Sequence, residues 1–365
     1  MVIGGYGFFG SRLVARLARQ ERLHVIAAGR SDAAARALVE RLQPRAHATL
    51  SHVALDAMGS SFTAHLQRLD VSLVIHTSGP FQGQDYRVAQ ACARAGAHYI
   101  DLADGRDFVC GIANLQQSAA AQGVLLTSGA SSVPALSTAV IDRLTAGMSA
   151  VHSIDIGISP GNRTERGLAT VTAILGYCGK RLPSTGPKAQ FGWLGSWRHR
   201  YPAPVGTRLL SPCDVPDLAL LPQRYAGSPM VRFGAGLELS WLHRGMNAMA
   251  WLTRLGLVRD WSVHAGGLKR MADGFKAWGS DAGAMHVCVQ GLDAQGAWRE
   301  RNWVLVAGSG DGPFVPTLAA TALVRKLAAG TLACTGARPC MGLLTLEDFM
   351  RETQGLDIHM RELTP

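Results

Sequence analysis

A glycine-rich turn near the start of the chain constrains its fold more than any other feature. Residues 1–3 are apolar and predict a short strand, and residues 11–18 carry apolar side chains at helical spacing. Between them, Gly5, Gly7 and Gly10 match the G-x-G-x-x-G pattern. A strand before this pattern and a helix after it are the context in which it binds a dinucleotide. The sequence therefore predicts a Rossmann domain, although the 42 glycines of the chain leave a chance cluster as the alternative.

Each glycine of the pattern has its own expected role. We expect Gly5 to permit the tight turn, Gly7 to let the backbone approach a pyrophosphate, and Gly10 to let the helix pack on the strand. The N-terminus of that helix would offer free N–H groups and a positive dipole end to the phosphates. The remaining expected cofactor contacts in this turn are Tyr6, Phe8 and Phe9.

The end of the second predicted strand, residues 23–28, indicates which dinucleotide is bound. NAD-preferring enzymes place a carboxylate here, about twenty residues after the last glycine, to bind the ribose hydroxyls. This chain instead has Arg30 and Ser31, which suit a 2′-phosphate. Asp32 follows at once and could hold the ribose instead, or cap the next helix. The pattern favours NADP over NAD.

Strands and helices alternate up to about residue 145, which predicts a doubly wound α/β domain with a parallel sheet. Ligands of such sheets bind at the carboxyl ends of the strands. The residues expected at that edge, and expected to contact the cofactor, are Asp56, Ser78, Gly79, Pro80 and Phe81. We expect Ser78 to hydrogen-bond the ribose or carboxamide, Pro80 to fix the turn, and Phe81 to give the nicotinamide ring an apolar surface.

The order and spacing of these segments resemble the saccharopine dehydrogenase-like NADP-binding oxidoreductases. The resemblance rests on residues 5–10, 29–31, 55–56, 78–82 and 98–102. It implies a Rossmann domain over residues 1–145, an inserted α+β domain over 146–312, and return of residues 313–365 to the first domain. The family includes lysine-pathway reductases, polyamine-forming dehydrogenases and enoyl reductases of lipid assembly, which do not share one substrate.

One loop departs from the family pattern. Saccharopine-forming members carry Gly-x-Asp-Pro-Gly and a nearby His after the sixth strand, where the loop helps hold an amino acid. The matching residues here, 129–137, contain neither a carboxylate nor a His. The departure argues against saccharopine formation. Ser131 or Ser132 could contact substrate, or could simply cap a helix beginning at Val133.

The pattern changes after residue 150. Residues 151–158 alternate with period two, and residues 285–291 and 298–306 predict a hairpin, so we expect an α+β substrate domain with an antiparallel sheet. Further strands are expected within 218–237. Besides Asp101, Ser131 and Ser132, the candidate substrate contacts are Tyr177 and Arg198. Residues 192–200, part of a stretch from 186 to 201 rich in Trp and Arg, are interpreted as a mobile loop that could close over the nicotinamide.

Composition limits the partners. The net charge is +10, but the Arg residues are dispersed and do not form the basic runs with aromatics that nucleic-acid binders use. Seven cysteines without a C-x-x-C pair indicate neither a metal site nor a disulfide framework, so reduced thiols in a cytoplasmic protein are expected. No signal peptide is expected before the first strand. Polar residues interrupt the apolar segment 237–258, which therefore cannot span a bilayer but could lie on one.

The combined expectation is an NADP-dependent oxidoreductase, acting as a homodimer. It would transfer a hydride to or from a C=N, C=O or activated C=C bond of a small-molecule or acyl substrate. The alternative is a dinucleotide-binding sensor without turnover, or a protein associated with a lipid surface through residues 237–258.

Overall fold

The computed structural model describes residues 1–183 and 189–363 of the chain. The stretch 186–201 therefore lies partly outside the described residues. The strands, in chain order, are β1 (Val2–Ile3), β2 (His24–Gly29), β3 (Thr49–Ala54), β4 (Leu73–His76), β5 (His98–Asp101), β6 (Leu125–Ser128), β7 (Met148–Ser159), β8 (Arg181–Leu182), β9 (Gln190–Phe191), β10 (Trp197–Arg200), β11 (Thr207–Pro212), β12 (Met230–Ala235), β13 (Gly283–Asp293), β14 (Trp298–Ala307), β15 (Gly336–Pro339) and β16 (Ile358–Leu363).

Helices alternate with the strands up to β7 and less regularly after it. In chain order they are α1 (Phe8–Leu17), α2 (Asp32–Leu42), α3 (Phe62–Arg68), α4 (Arg87–Arg94), α5 (Arg106–Gly111), α6 (Gln116–Ala121), α7 (Ser137–Leu144), α8 (Leu168–Gly176), α9 (Asp217–Arg224), α10 (Ser240–Arg254), α11 (Ala265–Asp273), α12 (Val315–Ala328) and α13 (Leu346–Glu352).

The chain divides into two compact units. The first contains residues 1–135 and 314–344. Its sheet has the strand order β15-β6-β5-β4-β1-β2-β3, and every pair in it is parallel. Strands β4, β5 and β6 are almost wholly buried, as expected for a sheet covered by helices on both faces. The predicted Rossmann fold is confirmed.

The strands of the first unit consist mostly of apolar residues because they are buried in its core. Val74, Tyr99 and Leu126 come from three neighbouring strands and are fully buried in one cluster. Ala89 and Cys92 of α4 pack in the same cluster. The small side chains on this helix let it approach the sheet closely. Because all the strands are parallel, their carboxyl ends lie at the same edge of the sheet.

The second unit comprises the described residues within 136–313 and 345–363. Its main sheet has the order β10-β11-β12-β7-β13-β14-β16, and β8 and β9 form a separate hairpin. The predicted hairpin is present as β13 and β14. This sheet is mixed and not purely antiparallel, because β12 runs parallel to β7.

The helical segment before β6 is broken into α5 and α6 by a short 3-10 turn at Ile112–Leu115. Two predictions differ from the structure. Residues 218–224, within the stretch 218–237 that was expected to hold strands, belong to helix α9. The expectation that all of 313–365 returns to the first unit is wrong for its end, because β16 pairs with β14 in the second sheet.

Candidate functional site: a dinucleotide cradle at the edge of the first sheet

The glycine-rich turn folds into a tight loop between β1 and α1. Gly4 has a positive φ of 71°, a conformation that favours glycine. The N–H of Gly7 donates to the carbonyl of Gly4 at 2.8 Å and closes the turn. A Cβ on Gly10 would lie 2.0 Å from that same carbonyl oxygen, so only glycine allows α1 to begin this close to the strand.

Gly4, rather than Gly5, therefore provides the tight turn. A Cβ on Gly5 would instead meet the backbone of Ala27 in β2 at 3.2 Å, which makes Gly5 a packing position between strands. The role expected for Gly5 is thus corrected. The two consecutive glycines at positions 4 and 5 could have indicated this, but the G-x-G-x-x-G pattern begins at Gly5 and does not include Gly4.

The N-terminus of α1 fits a phosphate group. Gly7 is the N-cap residue and supplies no side chain to the first N–H groups, and the first turn has no acidic residue. These N–H groups have no acceptor within the helix by geometry, so they can donate to an anion. Phe8 and Phe9 are half-buried beside the turn, and the Arg12 guanidinium lies 4.1 Å from the centre of the Phe8 ring.

Tyr6 links this loop to the end of β2. Its hydroxyl oxygen accepts a hydrogen bond from the N–H of Ser31 at 2.9 Å. A Cβ on Gly29 would lie 2.5 Å from the Tyr6 ring, so glycine at the strand end makes room for the tyrosine. The sequence included Tyr6 among the contacts but gave no signal for this bridge.

The turn after β2 contains the residues expected to select the cofactor. Ser31 is the N-cap of α2, and its hydroxyl accepts from the N–H of Ala34 at 3.3 Å. Ser31, rather than Asp32, is therefore the cap. Asp32 lies 3.4 Å from Arg36 and 3.6 Å from His52. Arg30 is exposed and forms no ion pair with another described residue.

The loop after β4 packs against the glycine turn. The hydroxyl of Thr77 donates to the carbonyl of Ile3 at 2.8 Å, and the exposed Ser78 lies next to Gly4. The amide nitrogen of Gln84 donates to the carbonyls of Ser78 and Pro80 at 3.0 and 2.7 Å. Thr77 and Gln84 were not anticipated from the sequence. They fix the loop so that Ser78, Gly79 and Pro80 line the edge.

Phe81 is placed differently from the expectation. It is only 5% exposed, and its ring packs against His76 and Phe108 with centroid distances of 5.1 and 5.3 Å. The prediction that Phe81 gives the nicotinamide an apolar surface is therefore wrong, because the ring supports the turn from inside the core. His76 is also buried, which lowers its pKa to about 4, and its Nδ1 lies 3.1 Å from the Tyr99 hydroxyl.

Asp101 joins the ends of β5 and β6 and has no exposed surface. One carboxylate oxygen accepts from the N–H groups of Ala103 and Gly129 and from the Ser128 hydroxyl, at 2.9 to 3.0 Å. Burial raises the pKa of Asp101 to about 6, although these hydrogen bonds oppose the shift. The substrate contact proposed for Asp101 is thus corrected to a structural role.

Three other predicted residues differ in their accessibility. Asp56 is exposed, and its carboxylate accepts from the N–H of Met58 at 3.0 Å within a turn. Ser131 is buried, while Ser132 is half-buried. Neither serine caps α7, which begins at Ser137 with Leu136 as its N-cap. The capping alternative is therefore wrong, and of the two serines only Ser132 keeps an accessible surface.

The remaining candidates lie in the second unit. Tyr177 is half-buried at the end of α8, and Arg198 is exposed on β10. Residues 192–200 do not form a mobile loop. Residues 197–200 are a strand paired with β11, and the ring of Trp193 is buried.

Hydrogen bonds fix the start of that segment. Ser196 lies within 3.0 Å of Ser211, His243 and Asn247, and the Asn247 amide donates to the carbonyl of Trp193 at 2.7 Å. Burial and the neighbouring positive charge of Arg244 lower the pKa of His243 to about 4. These polar residues hold the second sheet to α10.

Comparison with known proteins agrees with this geometry. Residues 1–135 match the family model described as the saccharopine dehydrogenase NADP binding domain. The fold and the cradle together define a Rossmann domain for a nicotinamide dinucleotide. Residues 1–135 resemble the NADP-binding domains of that family, which confirms the resemblance found in the sequence. No protein of curated function matches the chain in sequence.

Solved structures with a similar fold extend over both units. The apo, histidine-tagged saccharopine dehydrogenase (L-Glu forming) from Saccharomyces cerevisiae has a TM-score of 0.68 at 12% identity, and the alignment covers 100% of this chain and 99% of that one. A homospermidine synthase from Legionella pneumophila, solved in complex with NAD, has a TM-score of 0.58 at 9% identity, covering 99% and 90%. At these identities the likeness shows a shared fold.

Proposed function

We propose that the chain is an NADP-dependent oxidoreductase that transfers a hydride to or from a C=N, C=O or activated C=C bond of a small-molecule or acyl substrate. The observation that carries the proposal is the pairing of a glycine-built phosphate cradle with an exposed arginine at the end of β2. The family match of residues 1–135 supports a nicotinamide dinucleotide as the ligand.

Different residues at this edge would contact different parts of the cofactor. The loop from Gly4 to Gly10 and the N-terminus of α1 would hold the pyrophosphate. Arg30 and the N–H groups at the start of α2 would hold the 2′-phosphate, because a guanidinium forms two parallel hydrogen bonds to phosphate oxygens. Ser78 and Pro80 would contact the ribose and nicotinamide half. When bound, the cofactor supplies or accepts the hydride.

The loop after β6 supports a substrate other than saccharopine. Residues 129–137 contain neither Asp, Glu nor His, and Asp101 below them is already hydrogen-bonded. A substrate held there would meet the hydroxyl of Ser132 instead of a charge. Tyr177 and Arg198 stay candidate contacts from the second unit, and the homodimer and cytoplasmic location stay predictions.

Exchanging the charge at position 30 tests cofactor choice. Arg30→Asp should weaken NADP binding more than tenfold, because a carboxylate repels the 2′-phosphate, while NAD binding should change little. Arg45→Asp is the matched control. It makes the same charge change at an exposed position in the turn before β3, at the opposite edge of the sheet. Calorimetry on both variants with both dinucleotides measures the effect, and equal NADP affinity in the two variants would contradict the assignment of Arg30.

Turnover requires a separate measurement. Loss of NADPH absorbance should be seen with at least one member of a panel of imines, ketones and enoyl thioesters. Tight NADP binding without oxidation on any of these substrates would instead favour the sensor without turnover.

A further inference from the structure

Helix α10 exposes apolar side chains along one face. Trp241, Trp251 and Leu255 are 45%, 56% and 67% exposed. With the exposed Arg244 and Ala248, they occupy positions spaced by three and four residues, which lie on one side of a helix. The opposite side, which includes Leu242 and His243, is buried. An amphipathic helix of a globular protein normally places its apolar stripe inside. Helix α10 has a buried side of this kind, but it also has apolar side chains on the side that faces solvent.

The end of α10 adds to this stripe. Gly256 has a positive φ of 76°, and the N–H of Leu257 donates to the carbonyl of Leu252 at 3.0 Å. This is a Schellman motif, in which the residue after the glycine usually packs back on the helix. Leu257 is instead 69% exposed. The cap therefore holds a second leucine in solvent.

Segments that flank helix α11 contact α10 and extend the set of exposed apolar residues. The ring of Trp241, at the start of α10, is 4.6 Å from that of Phe275 and 6.2 Å from that of Trp278, just after α11. The indole N–H of Trp261, just before α11, donates to the carbonyl of Met249 at 3.0 Å. The chain therefore contacts α10 both just before and just after α11. We call the following exposed residues the tryptophan surface: Trp241, Trp251, Leu255, Leu257, Val263, Met271 and Trp278.

Cations outnumber acids in the segment that carries the tryptophan surface. Residues 239–279 contain six Lys and Arg residues but only two acidic residues. Both acids are paired with lysines, Asp260 with Lys180 at 3.7 Å and Asp273 with Lys269 at 2.6 Å. The other five cations form no ion pair with a described residue: Arg244, Arg254, Arg259, Arg270 and Lys276.

We propose that the tryptophan surface binds the surface of an anionic lipid membrane. Tryptophan is favoured at the membrane–water interface, where its ring is apolar and its N–H reaches water. Leucine and methionine side chains would enter the acyl boundary, and the arginines would contact the anionic headgroups. A helix in this role lies flat. That agrees with α10, which has 15 residues, and with the absence of any helix among the described residues that is long and apolar enough to cross a membrane.

Charge favours a membrane over a second copy of the chain. Two identical tryptophan surfaces would bring their unpaired cations together, and like charges facing each other oppose association. An anionic headgroup layer offers the complementary sign and the apolar depth at once. The inference does not depend on the identity of the dinucleotide.

Sedimentation with lipid vesicles tests the proposal on the full chain. We expect the wild type to bind vesicles of phosphatidylcholine with 30% phosphatidylserine, a composition chosen as roughly that of an anionic leaflet. Binding to pure phosphatidylcholine should be at least tenfold weaker. The double variant Trp251→Gln/Leu255→Gln should lose at least tenfold in affinity for the anionic vesicles.

Trp298→Gln is the matched control, because Trp298 is 57% exposed but lies on β14, away from α10 and α11. It should bind vesicles like the wild type, and every variant should keep its affinity for NADP. Absence of binding to anionic vesicles, or equal binding by the double variant, would overturn the proposal. If the wild type self-associates without binding vesicles and the double variant is monomeric, the surface joins two copies and the membrane assignment is wrong.

Discussion

The glycine loop of the first unit and the Ser196–His243 network of the second use polar groups in opposite ways. In the loop, helical N–H groups point out of the fold without a side-chain cap. In the network, the Nε2 of His243 lies 3.0 and 2.9 Å from the hydroxyls of Ser196 and Ser211, and the histidine is fully buried. The N–H groups of the loop are available to a ligand, whereas the side chains of the network are already hydrogen-bonded to one another.

This contrast shows why residue type alone identifies a site poorly. Ser, His and Asn in the 192–247 region have the chemistry of a catalytic site, yet they satisfy one another. The loop from Gly4 to Gly10 contains no acidic, basic or nucleophilic side chain apart from the Tyr6 hydroxyl, yet its backbone suits a pyrophosphate. If the contrast is correct, changes in the loop should act on binding, and changes in the network should act on stability.

The largest effect is expected at Gly10. Gly10→Ala places a Cβ 2.0 Å from the Gly4 carbonyl oxygen and 2.8 Å from the Thr77 hydroxyl, so the loop and α1 cannot keep their positions. We expect NADP affinity to fall more than a hundredfold in calorimetry. Gly176→Ala is the control, because its Cβ would meet no atom of a described residue within 4 Å. Wild-type affinity in Gly10→Ala would remove the loop from the site.

The next effect concerns the network. His243→Leu keeps a similar volume but removes the hydrogen bonds to the buried hydroxyl of Ser211 and to the hydroxyl of Ser196, which should cost about 2 kcal/mol in the free energy of unfolding. Urea unfolding measures this cost, and His152→Leu at an exposed position is the control. NADP affinity should stay within about twofold of the wild type, because the network lies in the second unit. A large loss of affinity at unchanged stability would break the comparison.

A smaller effect is expected at Gly7. Its added Cβ would lie 3.0 Å from the Gly4 carbonyl oxygen, a contact that a shift of a few tenths of an ångström relieves. The shift would move backbone that must approach the pyrophosphate. Gly7→Ala should therefore weaken NADP binding about tenfold, which is ~1.4 kcal/mol, with the circular dichroism spectrum unchanged. Unfolding of the domain would show that Gly7 serves packing like Gly10.

The smallest effect concerns two buried carboxyls, Asp101 in the first unit and Asp217 in the second, whose pKa values differ. Burial raises the pKa of Asp217 to about 7, from 3.8. Between these values the folded state holds a proton that the unfolded state releases, so stability falls as pH rises. Between pH 6 and 7, above the pKa of about 6 for Asp101, Asp217 should contribute a loss of about 1 kcal/mol. Asp217→Asn should lack this part of the decline in urea unfolding, and equal slopes would contradict it.

The sequence predicted the fold of the first unit well because its signals are local. Strand–helix alternation, the glycine pattern and the loop from Ser78 to Phe81 each occupy a few consecutive residues. It predicted the second unit less well. Strand β16 comes from the end of the chain and pairs with β14, more than fifty residues earlier, and a contact at that separation leaves no periodic trace.

The amino-acid sequence by itself determined that a nicotinamide dinucleotide cradle follows the first strand, because glycine alone permits that backbone and the motif is continuous in the chain. Tertiary structure alone decided which neighbouring side chains remain accessible. Phe81 lies in the same loop as Ser78, and Asp101 ends the neighbouring strand β5, but packing against Phe108 buries Phe81 and Asp101 is buried where it accepts a hydrogen bond from Gly129. Accessibility depends on what the rest of the fold places against a residue, and no local pattern records those contacts.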